Sequence, residues 1–277
     1  MINVSKLYCG LAGQSDDLRY SPGRSVGPVV VYNCTSRCNL RCRHCYSLSA
    51  ISRDDEELTT DQARDLLRQL ADANCPVVLF SGGEPLLRAD LFELLAHAKR
   101  LGLRTVISTN GTLIDADTAG RLADCGVDYI GVSIDGDEKF HDDFRVQKGS
   151  FKAAVSGLEN CRKAGIRVGL RFTITRANAD QVPTVFDVAR SIGIGRICFY
   201  HLIRTGRAAE LEGQTLSPEQ TRHVLDVIIE KTDDFVRRGL AEEVLTVGNH
   251  ADGPYILLKL QPERKDDFEK ARQLLLA

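Results

Sequence analysis

An α/β fold is what this sequence predicts: a parallel sheet with helices outside it, built as an open, partial barrel or as a doubly wound sheet. Three observations lead there. Short apolar runs rich in Val and Ile alternate six times with longer amphipathic segments, and parallel neighbours in a sheet need such crossover helices. Three of the amphipathic segments stop at Gly126, Gly165 and Gly193, the residue type usual just past a helix C-terminus. The polar motifs follow the apolar runs directly, at the strand ends where both kinds of sheet bind their ligands. Six units are short of the eight that close a full barrel.

Residues 1–28 form a lead segment with Gly and Pro in its second half, and Val29-Val30-Val31-Tyr32 is the first strand. Thr59 or Thr60 caps a helix through about Asn74, with Leu66, Leu67 and Leu70 on one face. Val77 to Phe80 is the second strand, and Asp90 to Leu101 a helix with Leu91, Leu94, Leu95 and Ala98 in phase. Strand Thr105 to Ser108 precedes helix Ala116 to Cys125, and strand Tyr129 to Ile134 precedes helix Phe151 to Ala164. Strand Val168 to Ile174 precedes helix Gln181 to Ile192, and strand Ile197 to Leu202 precedes the long helix Pro218 to Arg238. Beyond Leu240 the pattern weakens into a strand-like Val244 to Val247, then Tyr255 to Leu260, then a charged helix from Glu263. The expected division is therefore a lead (1–28), a barrel (29–240) and a C-terminal extension (241–277).

A chain of 277 residues buries roughly three quarters of its unfolded surface and needs no disulfide staples. Its 43% hydrophobic and 27% charged residues exclude a disordered or collagen-like chain. With 36 Lys and Arg against 38 Asp and Glu, the net charge is −2, which gives no reason to expect nucleic acid or an anionic membrane as partner. No apolar run approaches the ~20 residues of a membrane span, and Met1 to Gly10 has no apolar stretch of a secretory signal. The expectation is a cytoplasmic protein.

Of nine cysteines, Cys34, Cys38, Cys42 and Cys45 crowd into one short stretch, while Cys9, Cys75, Cys125, Cys161 and Cys198 stand alone and read as small buried hydrophobes. Zinc sites want four ligands, usually in two separated pairs, and the second pair is missing. A ferredoxin-type [4Fe–4S] centre also wants four cysteines. The three thiolates of Cys38-x-x-x-Cys42-x-x-Cys45 on four irons leave one iron open, as a catalytic cluster requires. Cys34, four residues earlier, is either a packed thiol or a fourth ligand that would make an electron carrier.

This spacing, with His44 at the aromatic position and Gly82-Gly83-Glu84-Pro85 after the second strand, resembles the radical S-adenosylmethionine (radical SAM) superfamily over residues 29 to 205. The resemblance implies a partial (β/α)6 TIM-like barrel, a [4Fe–4S] cluster on Cys38, Cys42 and Cys45, and S-adenosylmethionine (AdoMet) chelating the open iron. It further implies that His44 sits beside the cofactor. Gly82 and Gly83 would let their backbone approach the methionine group, Glu84 would accept from its ammonium, and Pro85 would set the turn. Ser108, Asn110, Ser133 and Asp135 would serve the ribose and carboxylate. Arg145, in His141-Asp142-x-x-Arg145, would bind the methionine carboxylate bidentately.

The stretches Met1 to Cys9, Leu18-Arg19-Tyr20 and Val29 to Asn33 are similar to the branch that makes siroheme-derived haem and haem d1. So are Tyr200-His201-Leu202-x-x-Thr205-Gly206-Arg207 and Leu245 to Gly253. That branch implies a carboxylate-rich tetrapyrrole whose acetate or propionate side chains are cut or oxidised by a 5′-deoxyadenosyl radical, and a reductant such as ferredoxin or flavodoxin. Arg37, Arg171, Arg204 and Arg207 are the candidate carboxylate-binding residues, with His201 as a further substrate contact. Members of the branch carry further cysteines for a second cluster, and none follows Cys198 here, so the chain is truncated, divergent or works with one cluster. Two rival readings stand beside this one: a radical peptide maturase and a non-catalytic electron carrier.

Overall fold

The computed structural model describes residues 1–11, 27–49, 57–262 and 264–276. In chain order the elements are β1 (Ile2–Asn3), α1 (Val4–Leu7), β2 (Val30–Thr35), α2 (Thr60–Asp72), β3 (Val77–Gly82), α3 (Leu91–Arg100), β4 (Arg104–Thr109) and α4 (Ala116–Asp124). Then come β5 (Tyr129–Ser133), α5 (Glu138–Arg145), α6 (Ser150–Lys163), β6 (Val168–Ile174), α7 (Val182–Ile192) and β7 (Arg196–His201). Last are α8 (Pro218–Arg237), β8 (Glu243–Val247), α9 (Asp252–Leu260) and α10 (Lys265–Leu276). Leu18-Arg19-Tyr20 and Glu263 lie outside the described residues.

The predicted alternation is all present. Strands β2 to β8 run parallel in sequence order through one sheet, the order of a barrel wound in one direction. Local chemistry sets the helix starts. Thr59 accepts from the Gln62 N–H while the Gln62 side chain returns a bond to the Thr59 backbone, a capping box that removes two unpaired donors. Ser217 and Gln220 repeat it at the start of α8.

The sheet is two strands wider than the six predicted. Val244 to Val247 pairs with β7 as a seventh parallel strand, and Ile2–Asn3 adds an antiparallel edge to β8. The gain is satisfaction of the open β7 edge together with burial of Val244, Leu245 and Ile2. A two-residue strand has no periodicity to read, so β1 is invisible in sequence. Helix α5 was also unexpected; it is short, and Asp137 caps it by accepting from the Phe140 N–H. Tyr255 to Leu260 falls inside α9.

Strand alternation separates two faces. Val78, Phe80, Ile107, Ile130, Val132, Leu170, Phe172, Ile197 and Phe199 are completely buried, and Phe199 meets Phe186 of α7 with ring centroids 5.7 Å apart. The residues in between, Ser108, Ser133, Arg171, Thr173 and Tyr200, line a cavity on the other face. The sheet thus presents an apolar side to its helices and a polar one to its lumen.

Phe199 also touches Phe172 across 5.7 Å, so Phe199→Ala should lose about 3–5 kcal/mol of stability, the usual cost of emptying a packed aromatic site. Chemical denaturation of both proteins measures the difference.

Candidate active site

The cavity, about 240 Å³, opens at the C-terminal ends of the strands. Cys38, Cys42, His44 and Cys45 line it from the loop after β2, and Ser81, Gly82 and Gly83 from the end of β3. Ser108, Thr109 and Asn110 follow from β4, Ser133 from β5, Arg145 from α5, and Arg171 and Thr173 from β6. Tyr200 and His201 come from β7.

The cysteine loop has neither helix nor strand between residues 36 and 45, so its shape is imposed from outside. The Gly83 N–H donates to the Thr35 carbonyl at 2.7 Å and the Glu84 N–H to the Arg37 carbonyl at 2.8 Å. A Cβ added at Gly83 would collide with the Arg37 carbonyl, and one at Gly82 with the Thr35 carbonyl. These glycines were expected to admit a ligand; what their missing Cβ atoms admit is the backbone of the cysteine loop. A second clamp comes from the connection after β7. The Arg207 N–H donates to the Cys45 carbonyl at 2.9 Å, and its guanidinium to the carbonyls of Cys42 at 2.8 Å and Ser49 at 3.0 Å. Gly206 there has φ +60°, and a Cβ would strike the carbonyls of Cys45 and Tyr46. Arg207, expected at the substrate, is spent on the loop.

Glu84 is likewise not at the cavity wall. Its carboxylate is completely buried and accepts from the Thr109 hydroxyl at 2.7 Å, the Asn110 N–H at 2.8 Å and the Leu86 N–H at 3.2 Å. It ties the end of β3 to that of β4, and Pro85 starts the short 3₁₀ turn behind it. Asn110 does face the cavity, and its amide reaches Asn39 of the cysteine loop at 2.8 Å.

Asp135 is also completely buried, off the cavity wall, and holds Arg145 through Nε and Nη2, both at 2.8 Å from Oδ2. Burial opposes its charge most strongly, but the Arg145 guanidinium together with the neighbouring His44 and His141 rings keeps the carboxyl below the usual carboxylate range. The remaining Arg145 nitrogen lies 3.8 Å from the Cys42 sulfur. Arg145 was expected on the methionine carboxylate; two of its nitrogens serve Asp135 and the third a cysteine. His44 stacks on Phe144 at 4.4 Å with rings 4° apart. Its Nδ1 is buried with no partner among the described residues, and burial pushes its pKa down to about 4, so the ring is neutral.

The three thiols differ. Burial pushes Cys38 up to about 11 and raises Cys42. Burial also opposes ionisation of Cys45, yet bonds from the Ser47 hydroxyl and the backbone of Ser49 and Ser47 lower it below the ordinary thiol value. Cys34 is buried, up to about 12, and packs in the core with Tyr32 and Phe80, off the wall that carries the other three. Among the described residues, no three His, Cys, Asp or Glu side chains converge tightly enough for one metal ion. A single ion needs every donor within about 2.0–2.3 Å, whereas a four-iron cluster spreads its thiolates over separate irons. The donor set fits a cluster, and the unpartnered His44 nitrogen on the same wall fits a polar ligand beside it.

Of the remaining predicted residues, Ser108, Ser133, Arg171 and His201 line the cavity; Arg204 and Arg37 do not. Arg37 binds the Leu87 carbonyl at 3.1 Å and Arg204 is exposed. Arg171 crosses the lumen from β6 to the Ser108 hydroxyl on β4 at 2.9 Å, over Gly131, where a Cβ would collide with it. Thr109, Thr173 and Tyr200 also line the cavity, at strand ends where the sequence placed polar motifs without giving them a role, and Phe144, stacked on His44, was missed because its role depends on long-range contact.

A partial barrel with three cysteines on a clamped loop at its open end is the frame against which known proteins are compared. The radical SAM superfamily model matches residues 32–188. Fe-coproporphyrin III synthase of Methanosarcina barkeri is 45% identical across 99% of this chain and 72% of its own length. Pre-heme d1 synthase of Dinoroseobacter shibae is 40% identical across 83% of this chain and 57% of its own length. Among solved structures, Streptococcus suis SuiB bound to its precursor peptide SuiA superposes with a TM-score of 0.71 at 20% identity, over 84% of this chain and 52% of that one, a likeness of fold. The chain belongs to the radical SAM superfamily, whose members use AdoMet and a [4Fe–4S] cluster.

Two outcomes follow from the clamps. Gly83→Val should keep the helical circular dichroism but lose most of the iron on anaerobic reconstitution, because the loop cannot seat; full iron content would mean the Gly83 contact is dispensable. Arg207→Ala should lower stability by roughly 2 kcal/mol or more, since hydrogen bonds from a charged group contribute about 1.5–3 kcal/mol each, as read from thermal melts.

Proposed function

We propose that Cys38, Cys42 and Cys45 hold a [4Fe–4S] cluster with one iron left for AdoMet, and that the chain acts on a carboxylate-bearing tetrapyrrole of haem or haem d1 synthesis. The observation that carries the first half is that these three cysteines, and no fourth among the described residues, line one cavity at the strand ends. The names of the relatives, Fe-coproporphyrin III synthase and pre-heme d1 synthase, support the second half. The chain spans 72% of the first relative and 57% of the other, so the reaction proposed is that of the site present here. When bound, the cluster and AdoMet supply a 5′-deoxyadenosyl radical that takes a hydrogen atom from the substrate.

The protein's own residues do the holding. Gly82, Gly83 and Arg207 seat the cysteine loop. Arg145 sets its charge against the Cys42 sulfur, and charge-assisted bonds to cluster sulfurs tune reduction potential. Ser108, Asn110 and Ser133 offer short polar groups for the ribose and carboxylate of AdoMet, beside the neutral His44. Arg171 is the cation for a substrate carboxylate. It lies in the lumen with no acidic side chain among the described residues within ion-pair distance, and it faces Tyr200, whose ring centre is 5.8 Å away. A ferredoxin or flavodoxin in the cytoplasm would supply the electron. Among the described residues no helix is long and apolar enough to cross a membrane.

Replacing any one of Cys38, Cys42 and Cys45 with Ala should abolish the iron–sulfur absorbance, while Cys34→Ala should keep it. Equal loss in Cys34→Ala would make Cys34 a fourth ligand and the chain an electron carrier. With dithionite, AdoMet and didecarboxysiroheme deuterated on its side chains, deuterium should move into 5′-deoxyadenosine, as mass spectrometry reads. Uncoupled cleavage with every tetrapyrrole and coupled cleavage with a peptide would overturn the substrate reading.

A further inference from the structure

His201 ends β7 and lines the cavity. Its Nε2 lies 2.9 Å from Oδ2 of Asp252, at the start of α9. Asp252 is completely buried, and its second oxygen has no partner among the described residues. The two residues are 51 positions apart, and nothing proposed above for the cluster or AdoMet uses them.

The arrangement has a direction. A buried carboxylate accepting from Nε2–H fixes the tautomer in which Nδ1 carries the free lone pair. Nδ1 has no hydrogen-bond partner among the described residues. A carboxylate behind an imidazole whose other nitrogen is free is how proteins orient a histidine for metal and raise its donor strength. A buried carboxylate oxygen left unpartnered is costly, and a contact serving only to tether α9 to β7 would not require it. Beside His201 on the same rim stand Leu202, Ile203 and Tyr46. Ile203 and Tyr46 are 61% and 49% exposed, an apolar ledge at the mouth of a polar cavity. A flat macrocycle with a metal at its centre and carboxylates at its edge matches all three: the ledge for its face, Arg171 for an edge carboxylate, and the imidazole for its iron.

We infer that His201, oriented by Asp252, is an axial ligand to the iron of the bound tetrapyrrole through Nδ1. The inference rests on the tetrapyrrole reading above and adds which residue meets the substrate's iron. Ligation leaves the oxidation state of that iron unchanged and forms one coordinate bond, from the imidazole lone pair. By fixing the centre of the ring it fixes which edge side chain lies over AdoMet.

The test uses iron(III) coproporphyrin III and metal-free coproporphyrin III, each titrated anaerobically into the reconstituted protein. The wild type should give the absorption and electron paramagnetic resonance spectra of an imidazole-ligated iron. His201→Ala should lose that signature, recover it with added imidazole, and bind the iron porphyrin about tenfold or more less tightly, the scale of metal-site perturbation. Asp252→Asn should keep ligation but weaken it. Metal-free porphyrin should bind wild type and His201→Ala alike, which shows the variant to be folded. An unchanged iron spectrum in His201→Ala would overturn this assignment alone, leaving the pair a proton-handling or tethering contact. If neither porphyrin binds the wild type, the tetrapyrrole reading falls and this assignment with it.

Discussion

The backbone of the cysteine loop is bonded to two glycine-containing connections, one after β3 and one after β7, and the rest of the site follows from that constraint. Residues 36 to 45 make no secondary structure, and a free loop of this kind would populate many arrangements of its three thiols. Carbonyls of the loop and its β2 end are therefore taken by the N–H groups of Gly83, Glu84 and Arg207 and by the Arg207 guanidinium. Such close approach of one backbone to another is possible only where a Cβ is missing. The clamps hold the loop by its main chain, and its three sulfurs share one wall of the cavity.

The charged groups around that loop are arranged so that few remain unpaired. Glu84 is sunk under the strand ends with three donors on its two oxygens. Asp135 is matched by Arg145, and removing one partner of such a buried pair leaves an uncompensated charge at a cost of about 3–5 kcal/mol. The two carboxylates organise the floor beneath the cavity, and their bonds pre-set the positions of Asn110, Thr109 and Arg145. Arg171 is a lumen cation bonded to a serine, and the His201–Asp252 pair lies at the end of the neighbouring strand. The cysteines thus line one wall of the cavity and the β6 and β7 residues another.

The relatives share this frame and exceed it in length, the first by somewhat over a quarter of its own chain and the second by more than two fifths. The matched part includes the whole barrel, and the family model covers β2 to most of α7. The strands beyond it bring His201 at the end of β7 and Asp252 just after β8, whereas Arg171 lies on β6 inside the matched range.

Most of the architecture is local in origin and was readable along the chain. The βα alternation, the helix starts at Thr59 and Ser217, the glycine stops and the Cys38-Cys42-Cys45 spacing depend on neighbours within a few residues, and periodicity reports them. Ser108, Asn110, Ser133 and His201 were reachable by the same means, because strand ends are where ligands bind, whereas nothing along the chain separated Arg171 from Arg37, Arg204 and Arg207. Residue roles were another matter. Glu84, Asp135, Arg145 and Arg207 are polar residues in the expected places, yet Glu84 and Asp135 turn away from the cavity, and Arg145 and Arg207 are spent on a carboxylate, a sulfur and loop carbonyls. Whether a charged side chain faces a ligand or a structural partner is decided by which donors and acceptors the folded chain brings within about 3 Å. Asp252 behind His201 and Gly131 beneath Arg171 show the same limit from the other side. Sequence alone settles the elements and the cysteine spacing because those are short-range properties; only the tertiary structure assigns each charge its partner, because burial makes an unpaired charge too costly and the available partner lies tens of residues away.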